Sequence, residues 1–220
     1  MPGRPVTYLA RAGASLRPYF YRNYLFVAET GPTYEATQAS LDPAYRFSFP
    51  VESSQLSDVA LRDVTTTASS LRARQASGEQ IGLVVWRDRV VHRSLLQRRG
   101  TAPMEGDRKA FELRESDRYI HSCYTSPEQR GKGLYAAMLQ HILSALSATD
   151  PGLRVYIACR QENEASVRAI RRAGFVYAKS SQVFGVASGR VRYRRWYIDD
   201  PFPAGPSTAA TGVPEGRQKE

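Results

Sequence analysis

The chain has 220 residues and a formal net charge of +10 at neutral pH, from 31 Lys and Arg against 21 Asp and Glu. This length is enough for one domain with a buried core, and a hydrophobic content of 42% is typical of a globular protein rather than a disordered one. No apolar run is long enough to span a bilayer, and the first residues lack the apolar core of a secretory signal, so a cytoplasmic protein is predicted. The two cysteines and three histidines lack metal-ligand spacing, which predicts no metal cofactor.

The N-terminal part is predicted to consist mainly of strands. Residues 1–50 are expected to form a segment that packs on, or leads into, the domain, and strands are predicted at Asn23–Glu29 and Tyr45–Glu52. Spaced apolar residues after Glu52 predict a helix across residues 53–79.

The middle of the chain is predicted to contain a hairpin followed by a loop. Two apolar runs around residues 80–86 and 90–97 are joined by Arg-Asp-Arg, a pattern typical of paired strands. The polar stretch 101–117 predicts a loop.

The C-terminal half alternates strands and helices before a tail rich in Pro, Gly, Ala and Thr at 201–220, which is predicted to be disordered. The predicted elements, in chain order, are a strand at 118–125, a helix at 133–147, a strand at 152–160, a helix at 163–174 and strands at 175–186 and 190–198. This order predicts a mixed α/β architecture with its domain at 51–200, and a helix linking two strands favours a parallel pair at that point.

A basic glycine turn directly precedes the first long helix. The helix has an apolar face with a four-residue repeat, and the turn before it reads Arg130, Gly131, Lys132, Gly133. The first turn of a helix presents unpaired N–H groups and the positive end of the helix dipole, and glycines allow an anion to approach them. The turn therefore indicates a phosphate site, although a plain glycine-containing helix start has the same pattern.

This turn, followed by a strand and then by a short helix from Asn163 to Gly174 and Phe175, resembles the two motifs of the GNAT (Gcn-related N-acetyltransferase) superfamily. The resemblance covers about residues 56–198. It implies an acyl-CoA N-acyltransferase fold, a central mixed and mostly antiparallel sheet with helices on both faces. It also implies acetyl-CoA as the acyl donor, and an N-acetyltransferase that moves the acetyl group to a primary amine by direct attack in a ternary complex.

The resemblance also implies where acetyl-CoA binds. The pyrophosphate would lie on the backbone of the glycine turn, and the pantetheine arm would pair with the end of the preceding strand. The implied cofactor-binding residues are Cys123, Tyr124, Thr125, Arg130, Gly131, Lys132, Gly133, Leu134, Tyr135, Asn163 and Ser166.

Two positions depart from the family pattern. Tyr135 stands where the motif ends in Gly or Ala, and its ring is expected to pack over the turn rather than block it. Ile170 stands where many members have the tyrosine that protonates the departing CoA thiolate. Tyr124 is the proposed replacement acid, and unassisted departure of the thiolate is the alternative.

His121 and His92 are the candidate bases, because a histidine near neutral pKa suits proton abstraction from an amine. Alternation along the strand predicts that His121 shares a face with Tyr119 and Cys123. Glu112, Glu115 and Asp117 also precede this strand and are weaker candidates. For all of them, a structural role is the alternative.

The acceptor is open between a small molecule and a protein amine, in a monomer or a homodimer. Two other functions are consistent with the sequence. The excess of arginine is consistent with an RNA- or tRNA-binding module on the same fold, and Ile170 is consistent with an acyl-CoA-binding protein without catalysis.

Overall fold

The computed structural model describes residues 18–31, 41–57, 61–186 and 192–197. In these residues the main feature is an eight-stranded sheet, beside which lie a two-stranded hairpin and three α-helices. The strands of the N-terminal half are β1 Pro18–Glu29, β2 Tyr45–Ser48, β3 Gln80–Trp86, β4 Arg89–Gln97, β5 Gly100–Met104 and β6 Asp107–Leu113. The other elements are α1 Ala68–Ala76, β7 Asp117–Thr125, α2 Leu134–Thr149, β8 Arg154–Arg160, α3 Glu164–Arg172, β9 Val176–Val186 and β10 Arg192–Tyr197. The predicted tail at 201–220 lies outside the described residues.

The strand order in the large sheet is β10-β9-β1-β8-β7-β4-β3-β2. Every pair is antiparallel except β7 and β8, which α2 connects as a crossover. The predicted mixed, mostly antiparallel sheet and its parallel pair are therefore confirmed. β1 lies inside the sheet, between β8 and β9, so the first fifty residues contribute an internal strand.

α2 and α3 cover one face of the sheet. The α2 residues Leu134, Met138 and Ile142 are at most 1% exposed and pack with strand residues such as Phe26 and Ile157. The other face carries α1 over β3 and β4, and the β5–β6 hairpin over β1 and β7. Burial on both faces explains why the strands β3, β4 and β8 are apolar over most of their length.

The helix predicted across residues 53–79 is wrong in extent. In the part of this span that the structure describes, residues 53–57 and 61–79, α1 covers Ala68–Ala76, and two single 3₁₀ turns, Ser53–Gln55 and Arg62–Val64, precede it. Thr65 has a left-handed backbone, with φ of 50°. The Thr67 side chain accepts a hydrogen bond from the Ser70 N–H, as an N-cap does. Thr65 therefore interrupts the predicted helix, and Thr67 caps the start of α1.

The loop predicted at residues 101–117 is a hairpin instead. β5 and β6 pair in antiparallel fashion, and Gly106 supplies the positive φ of 77° that the tight turn requires. The segment looks polar in sequence because the hairpin buries only one face, through Ala102, Met104 and Ala110. This hairpin forms one wall of the site described next.

Candidate functional site

The glycine turn opens directly onto the N-terminus of α2. Gly131 and Gly133 have φ values of 78° and 80°, and a Cβ built on either glycine would meet no described atom within 4 Å. In the part of the chain that the structure describes, no side-chain hydrogen bond caps the start of α2, so its first N–H groups are available to a ligand. Backbone donors, the helix dipole and free space in front of them fit an anion such as a pyrophosphate.

A cavity of about 590 Å³, here called the glycine-turn cavity, lies in front of this helix end. Ten of the eleven residues predicted to bind the cofactor line it: Cys123, Tyr124, Thr125, Arg130, Gly131, Gly133, Leu134, Tyr135, Asn163 and Ser166. Lys132 does not line it, because its ammonium group donates to Gln129 Oε1 at 2.7 Å. Arg168 and Arg172 of α3 add positive charge to the cavity wall.

The strands β7 and β8 separate beside this cavity. Their parallel ladder runs from Asp117 with Arg154 to Ile120 with Ile157 and then ends. Beyond Ile120, β7 continues along β4 while β8 continues along β1. A second cavity of about 580 Å³, the inter-strand cavity, occupies the opening.

The two cavities adjoin, because Cys123, Tyr135, Asn163 and Ser166 line both of them. Cys123 and Cys159 stand on the two separating strands, and burial raises the pKa of both thiols, that of Cys159 to about 12. Both cysteines are therefore protonated at neutral pH and are poor nucleophiles.

A β-bulge in β7 turns the strand next to the opening. His121 pairs with Leu95 and Tyr124 with Arg93, so β7 advances three residues where β4 advances two. Ser122 adopts the left-handed backbone conformation at the bulge, with φ of 51°. The prediction that Cys123 shares a face with His121 is therefore wrong: Cys123 packs with the core under α2, whereas His121 stacks on Tyr119 on the opposite face, with ring centroids 5.8 Å apart.

Tyr135 packs into the wall between the two cavities. Its ring lies 5.7 Å from that of His92, and its hydroxyl pairs with the Cys123 thiol. Burial raises the pKa of Tyr135 well above its usual value. Ile170 is fully buried in the core under α3, where it offers no proton donor.

His92 is buried and lies between two hydroxyl groups. Its Nδ1 is 2.7 Å from Thr125 Oγ1, and its Nε2 is 2.9 Å from Ser94 Oγ. Burial, followed by the nearby charge of Arg93, lowers the pKa of His92 to about 3. The imidazole is therefore neutral at physiological pH, and both of its nitrogens are already engaged.

This histidine makes stability depend on pH. The folded pKa of about 3 lies below the reference value of 6.5, so the unfolded chain takes up the proton first as the pH falls. The His92 contribution is complete above pH 6.5 and is lost between that pH and about 3. One pH unit corresponds to about 1.36 kcal/mol. Protonation of His92 in the unfolded chain should therefore lower the free energy of unfolding by about 2–3 kcal/mol between neutral pH and pH ~4.5. Denaturant unfolding of native protein and His92→Gln across this range measures the difference, and parallel curves would contradict it.

His121 faces a carboxylate on the opposite side of the sheet from α2. Its Nε2 lies 3.5 Å from Glu79 Oε2, and its Nδ1 lies 3.0 Å from Ser122 Oγ. Arg74 holds the other oxygen of Glu79 at 3.0 Å. Burial acts to raise the pKa of Glu79, but the hydrogen bonds and charges of His121 and Arg74 outweigh it, so this pKa lies below its usual value.

The sequence did not single out Glu79. The carboxylates it did single out lie elsewhere: Asp117 pairs with Arg154 at 2.7 Å, Glu112 accepts from Thr101, and none of Glu112, Glu115 and Asp117 lines the three cavities. Glu79 precedes β3 and reaches His121 across β4, so the register of three strands is needed to bring the two together.

A third cavity of about 410 Å³ lies beyond His121 and is here called the arginine cavity. It adjoins the inter-strand cavity through Pro103, His121 and Ser122. Its lining includes Arg74, Arg98 and Arg99 together with Glu79. The three cavities thus follow one another from the glycine turn, past the separated strands, to a basic cleft.

The site geometry agrees with a comparison against known families. Residues 100–175, from β5 to the end of the α3 region, match the model of the acetyltransferase (GNAT) family. About a third of the chain is thus similar to the GNAT family. The matched segment contains the glycine turn, both separating strands and Asn163, the N-cap of α3, whose side chain accepts a hydrogen bond from the Ser166 N–H.

Solved structures share the GNAT fold at low sequence identity. A GCN5-related N-acetyltransferase from Sphaerobacter thermophilus is 15% identical, with a TM-score of 0.51 over 86% of this chain and 56% of that one. A Drosophila protein is 8% identical, with a TM-score of 0.52 over 82% of this chain and 56% of that one. The chain thus spans little more than half the length of these structures. No curated protein matches this chain significantly.

Two negative findings concern the described residues only. None of their helices is long and apolar enough to cross a membrane. No group of three or more His, Cys, Asp or Glu side chains among them is arranged to hold a metal ion.

Proposed function

We propose that this protein is a GNAT enzyme that transfers an acetyl group from acetyl-CoA to a primary amine by direct attack in a ternary complex. The observation that carries the proposal is the succession of cavities through the opening between β7 and β8. A donor on the glycine-turn side and an acceptor on the His121 side would meet at this opening.

Binding of the donor rests on the glycine turn and the helix behind it. The N–H groups at the start of α2 would hold the pyrophosphate, and Arg130, Arg168 and Arg172 would attract its charge. The pantetheine arm would run along Cys123–Thr125, where β7 has left β8 and exposes backbone groups. Backbone N–H groups at the bulge are the proposed donors to the thioester carbonyl.

In the transfer step, the neutral amine nitrogen attacks the thioester carbon. A C–N bond forms, the C–S bond breaks, and the electron pair leaves with the CoA sulfur. We assign the amine proton to His121, supported by Glu79, because this pair lies where the acceptor cleft meets the opening. His92 is the weaker candidate, since its pKa of about 3 makes it a weak base and both its nitrogens are engaged.

The departing thiolate can take a proton from a phenol. Tyr124, which lines the glycine-turn cavity, is the proposed donor, because the hydroxyl of Tyr135 is engaged with Cys123 and its pKa is raised. The high pKa values of Cys123 and Cys159 support direct attack, because an acyl-cysteine intermediate requires a thiolate.

The first experiment measures thermal unfolding with acetyl-CoA, with desulfo-CoA and with a short RNA, followed by thiol release with a panel of amines. A ligand at 100 times its Kd stabilises the native state by about 2.7 kcal/mol, so acetyl-CoA should raise the midpoint clearly, also at moderate salt. Thiol release that requires an amine supports the enzyme. A shift with acetyl-CoA but no turnover would favour a non-catalytic acyl-CoA-binding protein. A salt-sensitive shift with RNA alone would favour an RNA-binding module.

A further inference from the structure

We propose that the acceptor is a small amine that also carries an anionic group, a carboxylate or a phosphate, which binds at Arg98 and Arg99 in the arginine cavity. This inference rests on the proposed function, because it names the class of the acceptor for the same site. The charge balance of the cleft, its position and its size favour such an acceptor.

The arginine cavity carries an uncompensated positive charge. Three arginines and a single carboxylate are among its lining residues, and that carboxylate, Glu79, is already paired with Arg74 at 3.0 Å. In the described part of the chain, neither Arg98 nor Arg99 has a recorded acidic partner within 4.0 Å. Both side chains are exposed at the cleft and are therefore available to a ligand.

One further cation senses this field. Arg118 follows Asp117 at the start of β7, and its pKa is lowered first by burial and then by repulsion from Arg98, while Asp150, Asp117 and Glu115 act to raise it. The positive field that attracts an anion therefore comes from Arg98 and Arg99. Arginine binds carboxylate and phosphate oxygens with paired N–H donors, so either group would satisfy the site.

The same cleft leads to the proposed base. His121 lines both the arginine cavity and the inter-strand cavity, so an amine beside His121 would leave the rest of the acceptor in the arginine cavity. Leu95 is the β4 partner of His121, and Arg98 follows it by three residues, which corresponds to roughly 10 Å of extended chain. The Arg98 side chain can extend over part of this distance. An acceptor that contacts both His121 and Arg98 should therefore have its amine and its anionic group separated by a few bonds.

The size of the cleft favours a small molecule. A volume of about 410 Å³ falls within the usual range for small-ligand sites. The β5–β6 hairpin forms part of its wall, through Thr101 and Pro103, and the Pro103 carbonyl accepts a hydrogen bond from the buried Tyr119 hydroxyl at 2.5 Å.

The test compares amines of matched length with and without a negative charge. The carboxylate pair is 4-aminobutanoate and 4-aminobutanamide, and the phosphate pair is 3-aminopropyl phosphate and 3-amino-1-propanol. Thiol release from acetyl-CoA gives kcat/KM for each amine, and calorimetry gives its binding. The variant is Arg98→Gln/Arg99→Gln. The control is Arg46→Gln/Arg87→Gln, which removes the same charge from residues that pair with Asp88 and stack on Trp86, outside all three cavities.

We expect at least one anionic amine to exceed its neutral partner in kcat/KM and in affinity by about tenfold or more in native protein and in the control. This preference should disappear in Arg98→Gln/Arg99→Gln and should weaken with salt. The pair that shows it identifies carboxylate or phosphate. Equal use of both partners, or a preference that survives in the arginine variant, would overturn the inference while leaving acetyl transfer intact.

If no amine releases thiol, the proposed function fails, and calorimetry alone decides the inference. Arginine-dependent binding of the anionic amines would still support an anionic-amine site. Absence of such binding would overturn it as well.

Discussion

Gly133→Trp is expected to lower the affinity for acetyl-CoA by at least about 100-fold while the protein remains folded. Gly133 has a φ of 80° and stands at the N-terminus of α2 with open space in front of it, where the pyrophosphate is proposed to lie. An indole ring would occupy that space. Losing two hydrogen bonds to a charged group, at about 1.5 kcal/mol each, corresponds to roughly a 100-fold change in Kd.

Gly152→Trp is the matched control. Gly152 also has a positive φ, 84°, and a Cβ there would also meet no described atom within 4 Å, but it lies in the turn between α2 and β8, outside the three cavities. Both variants therefore carry the same backbone strain, about 1–2 kcal/mol. Calorimetric titration with acetyl-CoA, together with an unfolding curve for each variant, separates lost binding from lost stability. Equal affinities in the two variants would show that the donor does not lie at the glycine turn.

His121→Ala is expected to lower kcat for acetyl transfer by about 10²–10⁴, the usual contribution of a general base. The KM for acetyl-CoA should change little, because His121 does not line the glycine-turn cavity. The pH–rate profile should also differ from that of the native protein, since the proposed proton acceptor is gone. Glu79→Gln keeps the shape of the side chain that faces His121 but removes its charge. It should also lower kcat, by a smaller factor than His121→Ala.

His141→Ala controls for the loss of an imidazole. His141 lies on α2 beside Phe47, at a ring distance of 5.9 Å, and lines none of the three cavities. Steady-state kinetics of the three variants, measured with one amine across pH, provide the comparison. An unchanged rate and pH profile in His121→Ala would assign His121 a structural role and return the search for a base to other groups or to water.

Much of the fold follows from local sequence patterns. The four-residue apolar repeat predicts α2, the Asn163 cap and Gly174 delimit α3, and the crossover predicts the parallel pair β7 and β8. These signals are local, because they depend on neighbours within one helix turn or on one connection. The segments predicted wrongly, 53–79 and 101–117, depend on tertiary contacts: α1 and its preceding turns pack on β3 and β4, and the β5–β6 hairpin packs on Tyr119 and Leu25.

The sequence by itself determined the family resemblance and the predicted position of the glycine turn at the start of α2, because those residues are consecutive and their chemistry acts through the backbone. Only the tertiary structure decided the acceptor side. The bulge at Ser122 puts His121 and Cys123 on opposite faces, and the registers of β3, β4 and β7 bring Glu79 to His121. Arg74 of α1 meets Arg98 and Arg99 of the β4–β5 turn there. A one-residue shift in strand pairing reverses which face each side chain occupies, and no local pattern in the chain fixes such a shift.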